Sequence, residues 1–249
     1  MERMWKAAGL AASIGNRLLY LAAEVLILSM LLYGGYSLWE NFRIEQNAFV
    51  SEELLRYKPG TESGTAGFAE LQALNPDVKA WLTIEGTHMD YPVLQGETDL
   101  DYINRDVYGE FSLSGSIFLS CLNSPDFSDG YSLIYGHHME NGAMFGDVTR
   151  FTEAVYFQEH PEGELRMAHE TWELELFACL ETDAYDRRVY DCGRETDREA
   201  LLSYIREHAV QYRETGVTAA DRILALSTCA DETETNGRVL VFGRLKSQY

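Results

Sequence analysis

The alternation of apolar and polar residues divides the chain into three regimes. From Leu18 to Trp39 it is apolar on all sides, with one charge, Glu24. This matches the roughly 20 residues needed to cross a hydrocarbon core of about 30 Å. Residues 40–58 return to a mixed pattern, with Phe42, Ala48, Phe49 and Leu55 set among polar residues, and predict a helix. Lys58 to Gly67 is dense in chain breakers and predicts a linker, followed by a short helix from Phe68 to Leu74. Beyond Asn75 and Pro76 the pattern shortens to strands: Trp81–Ile84, Met89–Leu94, Gly115–Leu119, Tyr131–Tyr135, Trp172–Leu180, Arg222–Thr228 and Arg238–Leu245. Short strands at this density predict a closed barrel or a sandwich. One amphipathic helix interrupts them, roughly Asp197 to Arg213, with Ala200, Leu201, Tyr204, Ile205 and His208 on one face. Thr196 is its expected cap, with Glu199 completing a capping box. No internal repeat occurs.

Charge gives the first segment a direction. Arg3, Lys6 and Arg17 precede it, whereas Glu40, Glu45, Glu52 and Glu53 follow with only Arg43 and Arg56 nearby. The positive-inside rule then predicts a single-pass anchor in the cell membrane, with a cytoplasmic N-terminus and the remainder extracellular. A cleavable signal peptide is the rival, but its apolar region is shorter and ends in small residues, not in Leu38 and Trp39. Glu24 costs a few kcal/mol at mid-membrane unless it sits shallow or pairs. The expected division is a cytoplasmic N-terminus over 1–17, an anchor over 18–39, a helical stalk and linker over 40–74 and a catalytic domain over 75–249.

Composition changes the picture little. A content of 46% hydrophobic and 12% aromatic residues is that of a folded chain. The formal net charge of −20 excludes nucleic acid as a partner, because phosphate binding needs clustered Lys and Arg. Cys121, Cys179, Cys192 and Cys229 form no C-x-x-C pair, so a zinc ribbon or thioredoxin-like site has no support. In an exported domain they are free or paired, and spacing does not decide between the two.

Two segments carry chemistry. Strand Arg222–Thr228 runs into Cys229, a polar loop follows, and Gly237 and Arg238 open the last strand. In such a hairpin the thiol and the guanidinium can face each other across the loop mouth, a setting that lowers a thiol pKa; a small buried Cys with a solvated Arg fits this segment equally well. Strand Tyr131–Tyr135 runs through Gly136 into His137 and His138. Neighbours on an extended strand face opposite ways, so this pair does not share one metal.

Leu226, Ser227, Thr228 and Cys229 with Gly237 and Arg238 resemble the active-site signature of sortases. Tyr135 to Met139, with Gly142 to Phe145, resembles the histidine region of their class B branch. The likeness extends through Trp81–Ile84, Asp90–Gln95 and Gly115–Leu119, and so spans about residues 75–245. It implies a mainly β fold: an eight-stranded barrel with N-terminal helices and one inserted helix, here preceded by a transmembrane helix. It implies a cysteine transpeptidase that cleaves a sorting signal near a surface protein's C-terminus after Thr. The acyl group then passes to an amine of cell-wall precursor or of a pilin. The family's nucleophile falls on Cys229, its histidine on His137 and its arginine on Arg238, with no metal or organic cofactor. Ala225 departs from the Thr common at the head of the signature, and Cys121 stands where a non-cysteine is expected. A Cys-His hydrolase releasing the same acyl group to water is the alternative reading, and a catalytically idle scaffold is a weaker one.

Overall fold

The computed structural model describes residues 1–247 except 61–63, 194 and 230–235; the side chains of residues 7, 8, 10–12, 41, 43–47, 64–66 and 229 also lie outside the description. The chain divides into two units, Met1–Ile44 and Glu45–Tyr249. The first unit lies within helix α1 (Glu2–Asn47). Its stretch Ser13–Glu40 has a mean hydropathy of 1.8 and none of its apolar window is buried by protein, so it is one helix long and apolar enough to cross a membrane.

In the second unit the helical pattern expected over 40–58 is broken. After Asn47 comes a short helix α2 (Glu52–Leu55), whose cap Ser51 accepts a bond from the Leu54 amide at 3.1 Å. Helix α3 (Gly64–Leu74) begins inside the expected linker. It approaches the preceding turn so closely that a Cβ on Gly67 would lie 2.7 Å from the Arg56 carbonyl oxygen. The glycines read as breakers include one that lets a helix dock.

Eight strands close the barrel: β1 (Val78–Ile84), β2 (Asp90–Leu94), β3 (Ile117–Leu119), β4 (Tyr131–Tyr135), β5 (Glu162–Arg166), β6 (Thr171–Asp183), β8 (Arg222–Cys229) and β9 (Gly237–Ser247). The order runs β5-β1-β2-β3-β4-β8-β9-β6, and pairing of β5 with β6 seals it, while the two-residue β7 (Gln211–Tyr212) adds to the edge of β6. Closure removes the open edges that invite aggregation. Helix α4 (Ala154–Glu159) leads into strand β5, which escapes a sequence reading because only Gly163 and Leu165 turn inward, whereas Glu164 and Arg166 pair outside.

Alternation explains the apolar runs. Leu224 and Leu226 of β8 point into the barrel with Val239 and Val241 of β9 and Leu174 and Leu176 of β6. Ile223 and Ala225, with Leu240 and Phe242, point outward and are covered by helix α6 (Arg198–His208) through Leu201 and Ile205. These strands are therefore buried on both faces, and their apolar runs are nearly continuous. The α6 cap is Asp197, which accepts the Ala200 amide at 3.1 Å, and not Thr196. The Thr196 hydroxyl is instead bound to the carbonyls of Asp191 and Gly193. The helix ends at His208, earlier than the apolar repeat suggests, because the chain turns into β7.

Helix α5 (Arg187–Tyr190) is pinned to α6 by one carboxylate. Asp186 accepts from Arg188 Nε at 2.7 Å, from the Thr182 hydroxyl at 2.8 Å and from the Tyr204 hydroxyl at 2.8 Å. Burial works to raise its pKa, but these bonds outweigh burial and hold it down to about 2. A depressed carboxylate contributes stability that is complete above its ordinary pKa and lost as pH falls through the folded value. Asp186→Asn should therefore cost about 2 kcal/mol at pH 7, the scale of hydrogen bonds to a charged group. In urea melts the gap from the parent chain should narrow as pH falls from 4 toward 2; a gap independent of pH would contradict this assignment.

Candidate functional site

Two pairings converge at one end of the barrel. β4 runs parallel to β8 with Tyr135 beside Ser227, and the Gly136 amide donates to the Ser227 carbonyl at 3.1 Å. β8 runs antiparallel to β9, with Cys229 directly opposite Arg238. His137 and Cys229 each stand two residues beyond a partner in the parallel pair, so this register carries both to the same end. The Cys229 backbone closes β8, but its side chain lies outside the description. Arg238 is half-buried, also sits opposite Thr182 of β6, and donates from Nη1 to the Gly237 carbonyl at 2.8 Å.

Strand pleating does not orient the two histidines. β4 ends at Tyr135, so neither His137 nor His138 is on a strand. Gly136 makes the exit possible, since a Cβ there would lie 2.5 Å from Ile117 Cδ1 and 2.7 Å from the Phe145 ring. His137 Nε2 lies 2.8 Å from the Ile103 carbonyl oxygen. A carbonyl only accepts, so Nε2 carries the hydrogen in this bond. His138 pairs through its backbone with Met144, and its buried Nδ1 has no hydrogen-bond partner.

The sequence reading missed what orients His137. Ile103 acts through its main chain, which leaves no residue signature. Gly115, read only as the start of a strand, has φ +60, and a Cβ there would lie 2.2 Å from the Ile103 oxygen. The glycine thus leaves room for the carbonyl that holds the imidazole. Tyr190, also missed, joins the two strands. Its ring lies parallel to that of Tyr135, with centroids 6.3 Å apart, and its hydroxyl is 2.9 Å from Ser227 Oγ. Burial, and after it the Asp99 carboxylate, pushes the Tyr135 hydroxyl pKa up, so that phenol stays neutral. The described cysteines are free: Cys121 is exposed, Cys192 half-buried and Cys179 buried. Burial raises the Cys179 pKa, which leaves that thiol a packing group.

The role of Gly115 is separable from backbone strain. Gly109 also has a positive φ, +82, yet a Cβ there meets nothing within 4 Å. Gly115→Ala should lower turnover about a hundredfold through misplacement of His137, whereas Gly109→Ala should leave turnover within a few-fold of the parent. Equal rates in the two folded variants would show that the Ile103 carbonyl does not position the imidazole.

Known proteins agree with this architecture. The sortase domain family matches residues 82–246. Sortase B of Listeria monocytogenes is 34% identical over 179 residues, covering 71% of this chain and 72% of its own. A class B sortase of Streptococcus pyogenes, involved in pilus biogenesis, has a solved structure that is 41% identical with a TM-score of 0.67. That match covers 76% of this chain and all of the other. A sortase B from the type II pilus of Streptococcus pneumoniae is 37% identical with a TM-score of 0.62, covering 73% and 99%. With its closed eight-stranded barrel, its inserted helix and this degree of identity, the chain belongs to the sortases, in their class B branch of cysteine transpeptidases.

Proposed function

We propose that Cys229 is the nucleophile, His137 the proton carrier and Arg238 the oxyanion donor of a transpeptidation at a C-terminal sorting signal. The observation that carries this is the double register: Arg238 directly opposite Cys229, and His137 following the strand parallel to the one that ends in Cys229. The Cys229 thiolate attacks the carbonyl carbon of the signal's Thr, and Arg238 donates to the oxygen as it gains negative charge. When the tetrahedral intermediate collapses, the C–N bond breaks and protonated His137 Nδ1 gives its proton to the departing amine. A thioester to Cys229 remains. The incoming amine loses a proton to the same Nδ1 and attacks the thioester, which releases the thiolate. The Ile103 carbonyl holds Nε2–H throughout, so one nitrogen serves both steps.

The substrates of this reading are surface proteins with a sorting signal, and the acceptor is an amine of cell-wall precursor or of a pilin. Two pilus-associated relatives keep the pilin acceptor in view. Residues 1–17 are cytoplasmic, 18–39 span the membrane, 40–74 form a stalk and 75–249 act outside. The basic residues before the apolar helix and the acidic ones after it support that direction.

Arg238→Lys keeps the charge but loses the planar fork of donors. It should slow acylation by a sorting peptide about a hundredfold, with little change in substrate binding. Near-normal turnover would mean that charge alone suffices. With added amine, the parent should release amide product in preference to free acid; acid alone at every amine concentration would favour the hydrolase. A membrane-impermeant thiol probe at a cysteine added to the C-terminus should react on intact cells, and reaction only after lysis would reverse the topology.

A further inference from the structure

Beside the reacting strands, two cysteines that the mechanism does not use sit on adjacent loops. Cys121 follows β3, and Cys192 follows α5. These loops lie side by side. The Ser120 side chain is close enough to the Cys192 thiol to lower its pKa, against the larger upward push of burial. A Cβ on Gly193 would lie 3.4 Å from the Leu122 carbonyl oxygen. The Tyr131 carbonyl accepts both the Gly193 amide at 3.3 Å and Asn123 Nδ2 at 2.8 Å. Residues 122 and 123 thus stand beside residue 193, which puts Cys121 and Cys192 on neighbouring stretches of chain. One carboxylate acts on both thiols, since the charge of Asp99 contributes to raising the pKa of Cys121 and of Cys192. The Asp99 side chain is held in place by the Cys121 amide at 2.6 Å and the Ser120 hydroxyl at 3.3 Å.

We propose that Cys121 and Cys192 form a reversible disulfide that ties the β3–β4 loop to the segment carrying α5 and Tyr190. This rests on the outward orientation given above, because cytoplasmic thiols are kept reduced. The oxidant is an external disulfide of the glutathione class. The exposed Cys121 thiolate attacks it, forming a mixed disulfide and releasing one thiol. Cys192 then loses its proton and attacks the Cys121 sulfur, and the second thiol leaves. Two protein thiols are oxidised and one external disulfide is reduced. Burial, then the Asp99 charge, keeps the Cys121 thiol protonated at neutral pH; burial does the same for Cys192. The clasp therefore closes slowly and faster as pH rises.

The link would fix a wall of the site. Tyr190 lies two residues before Cys192, stacks on Tyr135 and bonds Ser227, so its position sets the spacing of the strands that lead to His137 and Cys229. Oxidised, this segment has its Tyr190 held from both sides.

The test uses the full-length chain in detergent, incubated with oxidised glutathione, acid-quenched and mapped by mass spectrometry. One linked peptide joining Cys121 to Cys192 should appear, about 2 Da lighter than the two reduced peptides together and lost on adding dithiothreitol. Cys192→Ser should instead leave glutathione on Cys121. Backbone hydrogen exchange over 187–193 should slow about tenfold in the oxidised parent and not in that variant. Glutathione on both cysteines without a link, or a link from either to Cys179 or Cys229, overturns the proposal. These readouts do not depend on turnover or orientation, so a failure here is distinct from a failure of the transpeptidase reading.

Discussion

Parallel pairing of β4 with β8 is the constraint on which the site depends. It sets Tyr135 beside Ser227, so that both strands deliver their following residues to one end of the barrel. A slip of one residue would turn every side chain of β8 to the other face. That slip is resisted because β8 is buried on both sides, by the barrel interior at Leu224 and Leu226 and by α6 at Ile223 and Ala225. Helix α6, inserted between β6 and β7, thus acts on the site from a distance. It covers the outer face of the strand that ends in Cys229, so that Ile223 and Ala225 are held in packing of their own.

The site is then finished by groups that contribute geometry rather than charge. Gly136 lets the chain leave β4 between Ile117 and Phe145, and the Ile103 carbonyl fixes the imidazole tautomer. Tyr190 braces the two strands through a ring and a hydroxyl. Preorganisation of this kind matters in acyl transfer, where donors must already point to where charge will develop. The acidic exterior, with a net charge of −20, leaves the half-buried Arg238 as a cation on the strand facing the proposed nucleophile. The apolar N-terminal helix adds proximity to a membrane.

Much of this was legible in the sequence, and what was not has physical causes. Strand β4 is legible to the residue, and β8 and β9 nearly so, because their apolar runs give way to polar and glycine-containing sequence. The class B branch followed from motifs whose order and separation are hard to match by chance. β5 was invisible because a strand with two inward positions carries too little alternation. The Asp197 cap was displaced by one residue because Thr196 found carbonyl partners of its own. The pleat expected to orient the two histidines does not reach them, because β4 ends at Tyr135. Ile103 and Gly115 lie outside any single-sequence motif, since one acts through its carbonyl and the other through the absence of a side chain. The polar loop expected between Cys229 and Gly237 falls on residues 230–235, which lie outside the described residues.

The central claim is that the thiol at the end of β8 becomes acylated while the other cysteines do not. Rapid quenching of the enzyme with a sorting peptide, followed by intact-mass analysis and peptide mapping, tests it most directly. The account predicts one adduct, with the mass of the peptide's segment ending in Thr, located on Cys229 and removed by hydroxylamine. An adduct on Cys121 or Cys192, or cleavage of the peptide with no thioester at any time point, would contradict it.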